Sequence, residues 1–389
     1  MISARNPMKD KVAIAGAATT GFTPHNTTRS QASLAAEACI QVIRDCGLTA
    51  ADINGICGSA VPAAVMQATL GVPEMTWFAN PSIPFGSQVA AAAAAVHAGL
   101  ADVVLAYHTP YRLPWNTASA LKDPFRRGGM ATPGAGAGPE TVAGVAGYTA
   151  WAARYLHEYG AKKEHFGYVA INDRSNAARN PAAAMKTPLT MDDYLGARMI
   201  RWPLCLLDMD VPVDGADAFI ITTAERARDM PLPPVLIQAA VLGMIDRNEE
   251  DQTPGLHRHG QHVVVEALKA KSDFWTDGMD VFFPYDGFSF ITLSWMENVG
   301  LCGPGEAGGF IEANWDKAAN RILIDGRVPV NPHGGALSEG GSQGSGHVRE
   351  AVHQLQGLAG PRQVAGARTA LLTPGGFFFN AQGLTLRKG

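Results

Sequence analysis

The chain has 389 residues, of which 47% are hydrophobic and 17% charged, with a net charge of −4. That length allows two domains or two fused halves around a large core, and the composition excludes a disordered protein. The slightly acidic balance excludes non-specific nucleic-acid binding, so any phosphate-bearing ligand needs a local basic patch.

In chain order, Lys11–Ala15 (KVAIA) predicts a first strand followed by a Gly/Thr turn. Ser33–Cys46 carries apolar residues at helical spacing and stops at Gly47. Ile53–Cys57 reads as a short buried strand. Ser87–Gly99 is a helix apolar on nearly every face, hence central, and it leads into the parallel-type strand Ala101–Tyr107. A long insertion follows from about residue 112 to 206, with helices at Thr141–Tyr159 and Lys163–Asn176. Strands are expected at Ala216–Thr223 and from Val235 to Ala240. The remainder offers a helix up to Lys271, the strand Val281–Phe283 and a helix at Ser289–Val299. A glycine-rich loop, the helix Gly346–Gln356, and closing strands near Thr369–Thr373 and Gly376–Asn380 complete it. This order predicts a layered α/β fold of two similar halves, 1–240 and 241–389.

The five cysteines are scattered without a C-x-x-C pair, so reduced thiols in a cytoplasm are expected. No signal peptide is read in MISARNPMKDKVAIAG. No apolar run is long enough to span a bilayer; the best candidate, Val89–Leu105, is interrupted by His97 and Asp102.

Several segments together resemble the thiolase superfamily, in its sterol-carrier-protein-thiolase branch. They are Ala98–Ala106, Tyr155–Asn180, Pro203–Ala216 (PLCLLDMDVPVDGA) with Ala224–Ala227, and Val330–Leu337 (VNPHGGAL). The resemblance implies two βαβαβαββ halves in an α-β-α-β-α arrangement. Yet the stretch that should hold the acylated cysteine reads Asn80–Ser87 and has none; Ser82 stands nearest that place. The Gly-His-Pro motif is replaced by Ser338–Gly344, and the second cysteine by Thr373–Gly376. Claisen chemistry through an acyl-enzyme is therefore not expected.

The chain looks closer to the thiolase-like aldolases that shorten steroid side chains. Pro284-Tyr285-Asp286-Gly287-Phe288 matches that branch's Tyr-Asp-x-Phe motif, and the stretch from His333 through Glu350-Ala351-Val352 aligns with that branch without gaps. A second family tyrosine would fall at Gly341 and is missing. The resemblance implies retro-aldol cleavage of a β-hydroxyacyl-CoA carrying a steroid or aryl group, giving a ketone or aldehyde and a shorter acyl-CoA. It implies a homodimer within a hetero-oligomer, joined by a small zinc-ribbon/OB-fold partner. No covalently bound cofactor is expected, and coenzyme A enters as part of the substrate.

Such cleavage needs a base for the β-hydroxyl proton and stabilisation of the enolate. Tyr285 is the expected base, although on spacing alone a core tyrosine is the commoner outcome. Asp286 accompanies it in the motif. His333, before two glycines, could position substrate or donate to the enolate; a structural histidine is an equal alternative. His347 and Ser342 are weaker candidates for the missing acid, and Glu339 for a loop cap. Arg112, Arg126 and Arg127, with Lys122 and Trp115, form a basic loop able to hold the CoA phosphates, or equally an interface. His257, His259 and His262 have the form of a metal motif. A surface or cofactor-adjacent loop is favoured, with His259 near the pantetheine and no metal. The rival readings are a non-catalytic acyl-CoA-binding scaffold and an acyltransferase using Ser82.

Overall fold

A computed structural model describes residues 4–24, 28–81, 84–111, 145–246, 255–377 and 380–389. The chain opens with β1 (Val12–Thr23), α1 (Gln31–Asp45), β2 (Gly55–Ser59), α2 (Ala63–Leu70), β3 (Trp77–Ala79), α3 (Gly86–His97) and β4 (Val103–His108). The inserted region holds α4 (Val145–Tyr159), α5 (Lys163–Ala177), α6 (Met191–Leu195) and the hairpin β5 (Met199–Arg201) and β6 (Leu204–Cys205). Then come β7 (Asp214–Thr223), α7 (Ala224–Arg228), β8 (Val235–Gly243), α8 (Gly260–Lys271), β9 (Val281–Pro284), α9 (Ser289–Val299) and α10 (Ala307–Ala313). The small strands β10 (Trp315–Asp316), β11 (Arg321–Ile324) and β12 (Val328–Pro329) precede α11 (Ser345–Gln356), β13 (Thr369–Thr373) and β14 (Ala381–Lys388).

Among the described residues, nine strands form one sheet in the order β3-β2-β4-β7-β1-β8-β14-β13-β9. The order repeats internally. β2 pairs parallel with β3 and β4, β4 antiparallel with β7, and β7 antiparallel with β1. In the other half β9 pairs parallel with β13, β13 antiparallel with β14, and β14 antiparallel with β8. Val330 bridges in parallel to Phe282 of β9, the place that β3 takes beside β2. An antiparallel contact of β1 with β8 joins the halves.

Side chains alternate between the faces of each strand. On β4 and β7, Val104, Ala106, Phe219 and Ile221 face one way and pack with α3 and α11. Val103, Leu105, Ala218 and Ile220 face the other way, against α1 and α2. Phe283, Leu372 and Leu384 of the second half reach the same central helices, while Phe282 and Leu371 face outward to α8 and α9. Five layers result, with α3 and α11 as the middle one.

Two expectations fail at strands. β1 runs on to Thr23 rather than turning after Ala15, because β7 pairs with it through two register shifts that absorb the irregular Gly/Thr stretch. The predicted strand Gly376–Asn380 is not formed by its described residues. Gly375 packs so tightly against the Asn380 carbonyl that the chain turns there, and the last strand begins at Ala381. Ser82, Arg112, Lys122, Trp115, Arg126 and Arg127 lie outside the described residues.

Candidate active site

The site assembles at the carboxyl end of β9 and the start of α11, where a crevice is the rule for open α/β sheets. Parallel pairing carries β9 to Pro284, opposite Thr373, and Tyr285 continues it by donating its N–H to the Thr373 carbonyl at 3.1 Å. The tyrosine ring lies over Gly287, where an added Cβ would stand 2.5 Å from it. Tyr285 is 5% exposed, and its hydroxyl donates to Gln343 Oε1 across 3.5 Å.

Asp286 points inward. Its carboxylate accepts the backbone N–H of Ala336 at 2.8 Å and of Leu337 at 2.9 Å, at the start of a π-helical turn over Gly335–Glu339. Gly335 has φ of 57°, and a Cβ there would collide with that carboxylate, so the position takes only glycine. His347 Nε2 lies 2.9 Å from Asp286 Oδ1. Burial pushes the Asp286 carboxyl up, but hydrogen bonds with His347, Asp173 and the Ala336 N–H outweigh it and hold it below the usual range. Asp173 of α5 is raised well above that range by burial and by the Asp286 charge beside it. The two carboxyls are thus pushed in opposite directions, with the charged form favoured on Asp286, which accepts the hydrogen bond from the His347 Nε2–H.

His333 is fully buried, its ring 4.7 Å from that of His347. Burial, then His347 and Arg349, hold its pKa well below the ordinary value, so it is neutral. Neither ring nitrogen has a hydrogen-bond partner among the described residues, and Nε2 stands 3.9 Å from Glu339 Oε2. Glu339 accepts from Asn180 Nδ2 at 2.6 Å and pairs with Arg349, which also binds Asp217 of β7 at 2.5 Å. Burial pushes Glu339 up to about 7 despite that arginine. Ser342 Oγ accepts the Gly346 N–H at 3.0 Å in the first turn of α11.

The fold thus brings Tyr285, Asp286, His333, Ser342 and His347 into one cluster, with Glu339 beneath them. His259 stands elsewhere, capping α8, 1% exposed, its ring 5.0 Å from Phe377 and 6.1 Å from Trp151. Tyr148 stacks on Phe288 at 4.4 Å and approaches Phe377 at 6.4 Å, so His259 ends an aromatic row that begins three residues from Tyr285. His257 pairs with Glu158 at 2.7 Å, and His262 Nδ1 accepts the His259 N–H at 3.2 Å. Among the described residues no three His, Cys, Asp or Glu side chains gather as metal ligands.

Sequence reasoning missed Gln343, Asp173, Asn180 and the Arg349–Asp217 brace. One signal was available: Asn172, Asn176 and Asn180 recur every four residues. Asn172 and Asn176 bond the Val330 carbonyl and Asn180 the His333 carbonyl, which fixes the loop around His333. Gln343 gave none, because its side chain is aimed by a left-handed backbone, φ 52°. All five thiols are pushed up by burial, Cys57 and Cys302 to about 12, so no described cysteine offers a thiolate.

Residues 253–387 match the family described as Thiolase C-terminal domain-like. The chain is 34% identical to a 17-hydroxy-3-oxo-4-pregnene-20-carboxyl-CoA lyase of Mycobacterium tuberculosis, over 95% of this chain and 97% of that one. It is 33% identical to a steroid side-chain-cleaving aldolase of Thermomonospora curvata, over 89% and 90%. Among solved structures, an Ltp2-ChsH2(DUF35) aldolase superposes with a TM-score of 0.84 at 30% identity, over 98% of both chains. A monomeric SCP2-thiolase-like protein of Mycobacterium smegmatis shares the fold, with a TM-score of 0.68, 18% identity, and coverage of 99% and 78%.

Proposed function

Since the chain belongs to the thiolase superfamily, in the branch of its steroid side-chain-cleaving aldolases, it is a carbon–carbon lyase, and we propose that Tyr285 exchanges the proton on which the cleavage turns. The reaction is retro-aldol. The bond between the α-carbon of a thioester and the carbon bearing a β-hydroxyl breaks, and the products are a ketone and a shorter acyl-CoA. For a 17-hydroxy steroid with a 20-carboxyl-CoA side chain these are a 17-ketone and propionyl-CoA.

The observation that carries the reading is Tyr285 itself. At 5% exposure Tyr285 is the least buried residue of the cluster, and Gln343 orients its hydroxyl. Asp286 and His347 act on the enzyme rather than on the substrate: their pairing fixes the turn after Gly335 and the start of α11. Neutral His333 borders them, buried behind the site. Ser342 serves the helix start. The aromatic row from Phe288 to His259 is buried core behind the site, and coenzyme A is the thioester carrier of the substrate. The basic loop around Arg112, Arg126 and Arg127 is proposed for its phosphates. A DUF35-type partner with a zinc ribbon and OB fold, bound to a homodimer of this chain, is proposed by likeness to the Ltp2-ChsH2(DUF35) assembly.

The test is turnover of 17-hydroxy-3-oxo-4-pregnene-20-carboxyl-CoA by the full chain with its partner. Tyr285→Phe keeps its melting temperature and loses about 10²- to 10⁴-fold in kcat, the usual worth of one acid–base group. Wild-type turnover in that variant sinks the role of Tyr285.

A further inference from the structure

Retro-aldol cleavage moves two protons, one off the β-oxygen and one onto the α-carbon, and a single tyrosine supplies one of them. The second group must face the same two carbons. Asp286, His333, Glu339 and His347 are all sealed, each 0% exposed. Asp210 differs. It is only half-buried, in the segment between β6 and β7.

That segment is stitched across the site. The Asp210 N–H donates to the Gly287 carbonyl at 3.0 Å, at the residue over which the Tyr285 ring lies. The Val211 N–H donates to the Ala336 carbonyl at 3.1 Å, and the Val211 carbonyl accepts the Gly341 N–H at 2.8 Å. A Cβ on Gly341 would stand 2.6 Å from Asp210 Oδ2. Gly341 is not among the positive-φ glycines, so its backbone accepts any residue and the missing side chain is a matter of space. The carboxylate of Asp210 fills that space.

Resting on the reading of Tyr285 above, we propose that Asp210 is the second catalytic group and takes the base role that the sequence motif implied for Tyr285: its carboxylate takes the β-hydroxyl proton while the Tyr285 phenol protonates the α-carbon. An Asp210 oxygen accepts the proton, and the O–H electron pair becomes the C=O bond of the ketone. The Cα–Cβ bond breaks, and its pair passes into the enolate of the thioester. Tyr285 delivers its proton to the α-carbon and becomes a phenolate. The proton on Asp210 then returns to that phenolate through solvent, restoring both groups with no net proton change. A carboxylate group suits the accepting half because its oxygens are hydrogen-bond acceptors, and the Tyr285 hydroxyl is already oriented as a donor.

The experiment uses the full chain with its partner and 17-hydroxy-3-oxo-4-pregnene-20-carboxyl-CoA as probe. Asp210→Asn is expected to lose about 10²- to 10⁴-fold in kcat, with KM and melting temperature close to wild type. In Asp210→Gly, added sodium formate should restore part of the lost rate, since a small carboxylate can occupy the vacated space. Asp210→Asn turning over within about threefold of wild type overturns the proposal, a margin well below the usual worth of an acid–base group. A loss in Asp210→Gly that formate leaves untouched overturns it as well. The two assignments part cleanly. Wild-type activity in Asp210→Asn with loss in Tyr285→Phe removes Asp210 alone, and the reverse pattern removes Tyr285 alone.

Discussion

α3 and α11 hold matching places in the two halves, each preceding the strand that runs parallel to its neighbour, and both sit in the central layer. Their chemistry is opposite. α3 (GSQVAAAAAAVH) packs through valine and alanine, and none of its buried residues is titratable. α11 (SGHVREAVHQLQ) buries His347, Arg349 and Glu350, and each is held by a partner from elsewhere in the chain. A helix start that stabilises a thiolate needs a cysteine, and the first turn of α3 carries none. In this chain the buried titratable groups gather at α11 and the loop before it, and α3 has none.

The sharpest way to break the contrast is to remove the charge that ties α11 across the halves. Arg349→Met leaves Glu339 and Asp217 buried without a counter-charge. It should cost about 3–5 kcal/mol in denaturant unfolding. A loss below about 1 kcal/mol, the range of an exposed pair, would show that the brace is dispensable.

Next in size is a pH effect. Glu339 is raised to about 7 from an ordinary value of 4.5, so the folded chain holds a proton that the unfolded chain has already released. Stability from this group is complete below about pH 4.5 and is lost as pH rises towards 7, by up to about 3 kcal/mol. Glu339→Gln should remove that decline. Parallel stability curves for the two proteins over this range would count against a proton on Glu339.

The smallest effect concerns the chemistry that α3 lacks. Iodoacetamide should leave kcat unchanged to within about twofold under native conditions, because all five thiols are held protonated by burial. Stoichiometric inactivation by one equivalent would instead reveal a working cysteine.

The sequence by itself determined which elements exist and which chemistry is missing. Periodicity marked α9 and β13 to the residue, because their apolar pattern and flanking glycines are local signals. The absence of cysteine before α3 and the Tyr285-Asp286 motif were likewise readable in the letters. Tertiary structure alone decided the rest. β1 is more than twice the length its own residues suggest, since β7 pairs with it from Val12 to Thr23 across two register shifts. His333 and His347 look alike in sequence, yet one lies neutral without a partner among the described residues and the other locks onto Asp286. That difference comes from desolvation and from neighbours distant along the chain. Asp210 passed as one more acidic residue of a loop motif, and only the folded chain sets its carboxylate in the space beside Gly341. Local pattern reports which face of an element is buried; which side chain meets which across two packed halves is set by the packing itself.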